Sequence, residues 1–247
     1  MWSRNKANLY IQDALNDFHY DPKALSSPIA QRKIYRDKLM LTHLVGFGGG
    51  VSGGVGELPP CYLFDASGDA LSAVNHSDWH FSTGDWAIDM WVRYVGIDDN
   101  DILFAQYDPT TSDKCWLFES DSGRIEFFGS EDGSATFGTE WAWSRSVDTW
   151  YHVAVARDTN NMRAFVDGTQ IGSTYDVTGK DLYDGDCRMT IGSRLANDVI
   201  TGSLDARVDE VRISKGTNRG YTTTFTPASV PYTSDANTVL LIHCSET

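Results

Sequence analysis

The sequence predicts an all-β fold, an antiparallel sandwich or barrel of about eleven short strands, preceded by a partly helical N-terminal arm. Three observations carry this expectation. From Cys61 onward, short runs of apolar and β-branched residues alternate with Gly/Asp/Asn turns, without helix periodicity. Asp167-Gly168 stands between two such runs, and this dipeptide accepts the positive φ angles that a two-residue hairpin demands. Residues 46–60 carry seven glycines and end in Pro59-Pro60, which sets the strand-rich body apart from what precedes it.

In chain order, residues 1–45 read as an arm. Ala7, Ile11, Ala14, Leu15 and Phe18 recur at helix spacing, and Pro22 and Pro28 interrupt the pattern. Ser27-Pro28 supplies a cap and first position for a second helix that would run to about Val45 and stop at Gly46. Two such helices bury little against each other. Ile11, Leu15, Phe18, Ile34 and Leu41 are therefore candidate partner-binding residues, seeking either the sandwich or another protein. Residues 46–60 are the linker and residues 61–247 the sandwich. Expected strands are Cys61–Phe64, Ala87–Tyr94, Ile102–Gln106, Lys114–Glu119, Arg124–Phe128, Ala135–Gly138, Trp150–Arg157, Met162–Val166, Arg188–Gly192, Leu204–Ile213 and Thr238–His243. Trp91, Val153, Val155, Phe165 and Val211 are expected to alternate inward as core.

A unit of this size buries roughly 70% of its unfolded surface and needs no disulfide to hold a core. Charge is uneven: residues 1–60 carry a net +2 and residues 61–247 a net −16. So acidic a body repels phosphate backbones, which argues against nucleic acid as a partner. It suits either solubility or a divalent cation held by clustered carboxylates. Cys61, Cys115, Cys187 and Cys244 show neither C-x-x-C nor zinc spacing. No apolar run is long enough to span a membrane and no secretion signal is visible.

The stretch Val208-Asp209-Glu210-Val211-Arg212-Ile213-Ser214-Lys215-Gly216, then Phe225-Thr226-Pro227, then Ser234 to His243, resembles the close of a laminin-G-like or pentraxin-like domain. Three further islands, 63–72, 82–93 and 149–172, and the fuller span 189–214 carry the same resemblance in the same order. It is similar to the concanavalin A-like lectin/glucanase sandwich, in the version found in virion structural proteins of tailed bacteriophages. The resemblance implies a jelly roll of two curved antiparallel sheets, with the closing strand beside the first. It also implies binding of glycans or cell surfaces, oligomerisation, or decoration of larger assemblies. A bridge between Cys61 and Cys244 is conceivable on that pairing, with free thiols favoured for a protein assembled in a cytoplasm.

Some sandwiches of this shape are glucanases with carboxylates spaced E-x-D-x-E on one strand face. Here Asp205 and Asp209 share a face, but no glutamate stands at the alternate positions and no Ser-His-Asp arrangement appears. No catalytic residue is expected. For calcium, Asp113 matches one ligand position that the resemblance implies, while Ser193-Arg194-Leu195-Ala196 departs from the acidic cluster of pentraxins. Asp184, Asp186 and Asp198 are the substitutes, unless they are simply solvated turns. His76-Ser77-Asp78-Trp79-His80 reads as a solvated loop rather than a zinc site. Trp141 and Trp143 point to one side, either as a stacking platform for sugars or as packing.

The expectation for function is a non-enzymatic virion structural protein, a lectin-like sandwich displayed as capsid decoration or as a tail or fibre component. It would be made in the host cytoplasm, would be oligomeric, and would be joined to other virion proteins through residues 1–60. The alternative is a calcium-assisted adhesin for host surface glycans. Deleting residues 1–56 is expected to leave a soluble sandwich that no longer joins the particle, as read by circular dichroism and by incorporation assays.

Overall fold

Alternation along Trp86–Tyr94 sets the frame: Ile88, Met90, Val92 and Tyr94 are fully buried on one face, and Trp91 and Arg93 are only half-buried on the other. Such a strand has one face in a core and one against something partial. In the computed structural model the described residues are 62–66, 69–97, 100–121, 123–201 and 204–245, with the backbone of three short strands nearer the N-terminus. The strands are β1 (Asn8–Tyr10), β2 (Ile34–Tyr35), β3 (Met40–Leu41), β4 (Tyr62–Asp65), β5 (Leu71–Ala73), β6 (Trp86–Tyr94), β7 (Asp101–Asp108), β8 (Asp113–Asp121), β9 (Arg124–Ser130), β10 (Thr136–Ala142), β11 (Trp150–Asp158), β12 (Asn161–Val166), β13 (Thr169–Asp176), β14 (Met189–Ile191), β15 (Arg194–Ala196), β16 (Val199–Thr201), β17 (Asp205–Lys215) and β18 (Thr238–Ser245).

They form the expected antiparallel sandwich. The first sheet runs β1-β18-β17-β6-β11-β12-β13, with β4 also on β17, and the second runs β10-β9-β8-β7-β14-β5-β3-β2. β15 and β16 make a separate hairpin. Between the sheets, Trp86 of β6 stacks on Phe127 of β9 at 5.0 Å, and Phe81 bridges Trp86 and Trp116 at 5.3 and 5.2 Å. Aromatic pairs of this kind add about 0.5–1.5 kcal/mol each beyond burial. The Tyr94 hydroxyl and Ser120 share a 2.9 Å hydrogen bond across the core. Arg145, from the loop before β11, closes that end by pairing with the buried Asp101 and lying over the Tyr94 ring.

Every expected strand is present, and four readings need correction. The closing strand does not pair with the first strand of the body. β4 takes residues 205–208 of β17 and β18 takes 211–214, so the two lie end to end along one edge. Trp91 is not core but outer face, because Met90 and Val92 hold the inward phase. Phe165 is buried on the outer face as well, packed with Tyr221 and Phe225. The second helix of the arm is not formed where the chain is described: Ile34–Tyr35 pairs with Met40–Leu41, and Leu41 pairs with Ala73. β-branched and aromatic residues suit a pleated edge, whatever their helical spacing. The expected first helix, with Ile11, Leu15 and Phe18, and the linker at 46–60 lie outside the described residues, as does Cys61.

At the β12–β13 hairpin, Asp167 (φ 49°) and Gly168 (φ 75°) both take positive φ. The Gly168 carbonyl accepts from the Phe225 amide at 2.9 Å, and a Cβ at Gly168 would collide with the Phe225 carbonyl. Gly168→Ala is therefore expected to cost roughly 2–4 kcal/mol in urea unfolding, from left-handed strain plus displacement of the overlying segment.

Candidate recognition face

The outer face of the first sheet has two halves. In one, the outward positions are small: Ala87 on β6, and Ala154 and Ala156 on β11, all essentially inaccessible. Their size leaves room for the segment between β17 and β18, residues 216–237, to lie across the sheet. Tyr221 and Phe225 of that strap stack at 4.1 Å above the alanines and Phe165.

Beneath the strap is a sealed ionic network. Asp89 has no exposed surface and accepts two bonds from Arg212, Nε to Oδ1 at 3.0 Å and the guanidinium to Oδ2 at 2.9 Å. His152 Nε2 lies 3.2 Å from Asp89 Oδ2, and the Tyr221 hydroxyl donates to the same oxygen at 3.2 Å. The Tyr232 hydroxyl and His152 Nε2 are 2.9 Å apart, and the Arg212 guanidinium lies 3.8 Å over the Tyr232 ring. Next to it, Glu210 pairs with His243 at 2.7 Å and accepts the Tyr232 amide at 2.6 Å.

A β-bulge makes this possible. Register between β17 and β6 shifts between Asp209 and Arg212, where Glu210 takes φ 50°. Without the extra residue, Arg212 would follow the phase of Val208 and point into the core. Burial pushes the Asp89 carboxyl up, but the His152 bond and the Arg212 guanidinium outweigh it and hold the group below the usual carboxylate range. Burial, followed by the nearby Asp89 charge, pushes the Tyr221 and Tyr232 hydroxyls above the ordinary phenol range, so both remain protonated.

Among the described residues, the other half of the face keeps its outward side chains partly accessible. Register places Leu63, Arg207, Arg93 and Trp150 in one cross-strand row, and Asp209 and Trp91 in the next. All six side chains are half-buried. Arg93 is held by Asp148 at 2.9 Å, and Trp91 meets the His152 ring edge-on at 5.5 Å, which fixes its plane. Two indoles, two guanidiniums and a carboxylate thus share a rigid strand surface.

The residues singled out from sequence lie elsewhere. Trp141 is 2% exposed and its Nε1 donates to the Ser173 carbonyl at 2.7 Å, while Trp143 packs edge-on against Tyr151 at 5.0 Å. No ring face of Trp141 is open to a sugar, because both residues point toward the core rather than away from it. At the rim, Asp113 Oδ1 accepts the Asp186 amide at 2.9 Å, Asp184 faces His80 at 3.5 Å, and Asp198 pairs with Arg188 at 2.9 Å. These four carboxylates do not converge: among the described residues no three His, Cys, Asp or Glu side chains gather as a metal would require. A guanidinium on Asp198 also opposes a cation there. Asp205 and Asp209 do share a face, with Arg207 between them. Among the described residues no helix is long and apolar enough to cross a membrane. Trp91, Arg93, Trp150 and Arg207 were not foreseen as a site. The signal was the phase of residues 86–94, with Met90 and Val92 taken as the inward pair.

Two face-packed antiparallel sheets in this order define a concanavalin A-like sandwich. The chain belongs to the Laminin_G_3 family of the concanavalin A-like lectin/glucanases superfamily, whose model matches residues 65–218. No curated protein matches the chain in sequence. Among solved structures, the binding domain of Paraclostridial Mosquitocidal Protein 1 is similar at 12% identity and a TM-score of 0.50, covering 65% of this chain and 40% of that one. The binding domain of botulinum neurotoxin serotype G is similar at 12% identity and a TM-score of 0.45, over 74% of this chain and 46% of that one. The CBM40 of the Ruminococcus gnavus IT-sialidase, bound to α2,3-sialyllactose, is similar at 14% identity and a TM-score of 0.41, over 51% and 75%. This chain thus spans about two-fifths of the mosquitocidal binding domain, and the likeness is one of fold.

Arg212→Met leaves Asp89 buried without its guanidinium, and is expected to lower stability at neutral pH by about 3–5 kcal/mol in urea unfolding. A depressed carboxyl contributes stability above its unfolded pKa of about 3.9 and loses it as pH falls through the folded value. The wild type should therefore weaken in acid. In the variant, burial dominates and favours the protonated carboxyl, so the gap between the two proteins should narrow as pH drops toward about 4.

Proposed function

We propose that this chain is a non-catalytic recognition module that binds surface glycans through the open half of its first sheet. The carrying observation is the co-facial set Trp91, Arg93, Trp150, Arg207 and Asp209 on neighbouring strands. Indole faces suit the apolar faces of sugar rings, and the flanking arginines and carboxylate supply directional donors and an acceptor for hydroxyls. Strands hold such groups more closely than loops do. The family spans lectins and glucanases. The interposition of Arg207 between Asp205 and Asp209, together with the lack of an E-x-D-x-E run, favours the lectin side. No calcium enters this reading, since the rim carboxylates are engaged with one another's backbone, with His80 and with Arg188.

The setting proposed is a tailed-phage particle, with residues 1–60 as the attachment segment. It rests on the resemblance carried by residues 208–243. Display on a particle and glycan binding are compatible, since the open face lies on the body rather than the arm.

A glycan array followed by titration calorimetry tests the binding. Saturable binding that persists in a chelator is expected, and Trp150→Ala should weaken it about tenfold while leaving the circular dichroism spectrum unchanged. A blank array, or full affinity in Trp150→Ala, counts against the proposal.

A further inference from the structure

Cys115 and Cys187 are far apart in sequence, yet the fold brings their thiols onto one acceptor. Cys115 Sγ donates to the Asp113 carbonyl at 3.8 Å, and Cys187 Sγ donates to the same oxygen at 3.4 Å. Both thiols therefore meet at a single carbonyl oxygen. Cys115 sits at the register shift between β7 and β8, where Gln106 pairs with Trp116 and Tyr107 with Lys114, so the bulge turns its side chain out of the regular ladder. Cys187 arrives from the loop before β14, whose position is fixed by the Asp186 amide on Asp113 Oδ1 at 2.9 Å and by Gln106 Nε2 on the Cys187 carbonyl at 3.2 Å.

Gly185 lets that loop come so close. A Cβ there would stand 2.7 Å from Cys115 Sγ and 2.6 Å from Asp113 Oδ1, tighter than any side chain tolerates. The loop therefore closes directly over the Cys115 thiol. Cys115 is fully buried and Cys187 half-buried, so Cys187 is the less enclosed residue of the two.

We propose that Cys115 and Cys187 form a disulfide by exchange with a small-molecule disulfide, pinning the loop at 182–188 to β8. The Cys187 thiol gives its proton to solvent, and its thiolate attacks the external S–S bond and expels one small thiolate. The Cys115 thiolate then attacks Cys187 Sγ in the mixed disulfide and expels the second. Two protein thiols are oxidised and one external disulfide is reduced, and the two protons lost by the cysteines pass through the buffer to the two expelled thiolates, giving two small thiols. Cys115 thus acts as the resolving thiol and Cys187 as the entry point.

The Cys115 thiol beside it, burial, and the charges of Asp113 on β8 and Asp108 on β7 push the Cys187 thiol well above its ordinary range. Asp186 on its own loop adds a further carboxylate nearby. Exchange is accordingly run in alkaline buffer, where the thiolate fraction is larger.

The test uses the full chain carrying Cys61→Ser and Cys244→Ser, so that only this pair reacts. It is incubated with oxidised glutathione, alkylated and digested with trypsin. Cleavage after Lys114, Arg124, Lys180 and Arg188 releases peptides 115–124 and 181–188. The expected result is a linked pair of these two peptides with no alkylated thiol. Closing a loop of about 70 residues is also expected to raise the thermal midpoint by roughly 5–10 °C, reversed by dithiothreitol. A stable glutathione adduct on Cys187, or both cysteines alkylated after prolonged incubation, overturns the proposal. The same digest of the unsubstituted chain guards against a folding defect in the background, and the absence of the linked pair there overturns it equally. The outcome is independent of glycan binding.

Discussion

A carboxylate sealed from water at the middle of a strand demands a partner from every direction, and Asp89 is such a group. Its charge is met by Arg212 on β17, by His152 on β11 and by the Tyr221 hydroxyl of the strap. Three strands and one irregular segment are thereby tied to a single side chain. Ion pairs of this sort are weak sources of net stability, because desolvation offsets most of the attraction. They are strong sources of position. A strap shifted by one residue would withdraw the Tyr221 hydroxyl from Asp89 and the Tyr232 hydroxyl from His152, so the network favours one path for residues 216–237 among many that would bury similar apolar area.

That path decides which part of the sheet remains for other work. The alanines at 87, 154 and 156 accept the strap's aromatic rings, and the same face, four residues away from Ala87 and Ala154 on their strands, carries Trp91 and Trp150 instead. The large rings begin where the strap ends. Trp91 belongs to both halves, since its ring leans on His152, a member of the sealed network. That half of the surface is therefore braced from below by the core and from the side by the ion pairs, which holds the Trp91 indole at a fixed orientation.

Much of the fold was legible in the sequence. Period-two runs between Gly/Asp turns located eleven strands of the body but not the three-residue β5, β15 and β16, and Asp167-Gly168 marked a hairpin whose φ angles are both positive. The site was less legible, for specific reasons. In β6 both faces carry large apolar residues, so the phase of Trp91 is ambiguous until the neighbours of Met90 and Val92 are known. In β17 the bulge at Glu210 changes phase in mid-strand, and no composition signal announces it. The strap has no period at all, so the convergence of Tyr221 and Tyr232 on Asp89 and His152 appears only in three dimensions. Cys115 and Cys187 meet because the loop before β14 reaches past β7 to the start of β8, a path that local pattern does not encode.

The charge distribution bears on the recognition proposed for the open half. Residues 61–247 carry a net −16, yet Arg93 and Arg207 stand directly opposite each other on adjacent strands. Like charges so placed repel, and Asp148, Asp205 and Asp209 around them offset the cost. Beyond a screening length of about 8 Å the acidic body is little felt. Attraction at this face is consequently local: guanidinium donors and indole planes act within contact distance, without long-range steering. On the glycan-binding proposal, such a surface would discriminate by the placement of hydroxyls and ring faces, which suits a polyhydroxylated ligand better than a charged polymer.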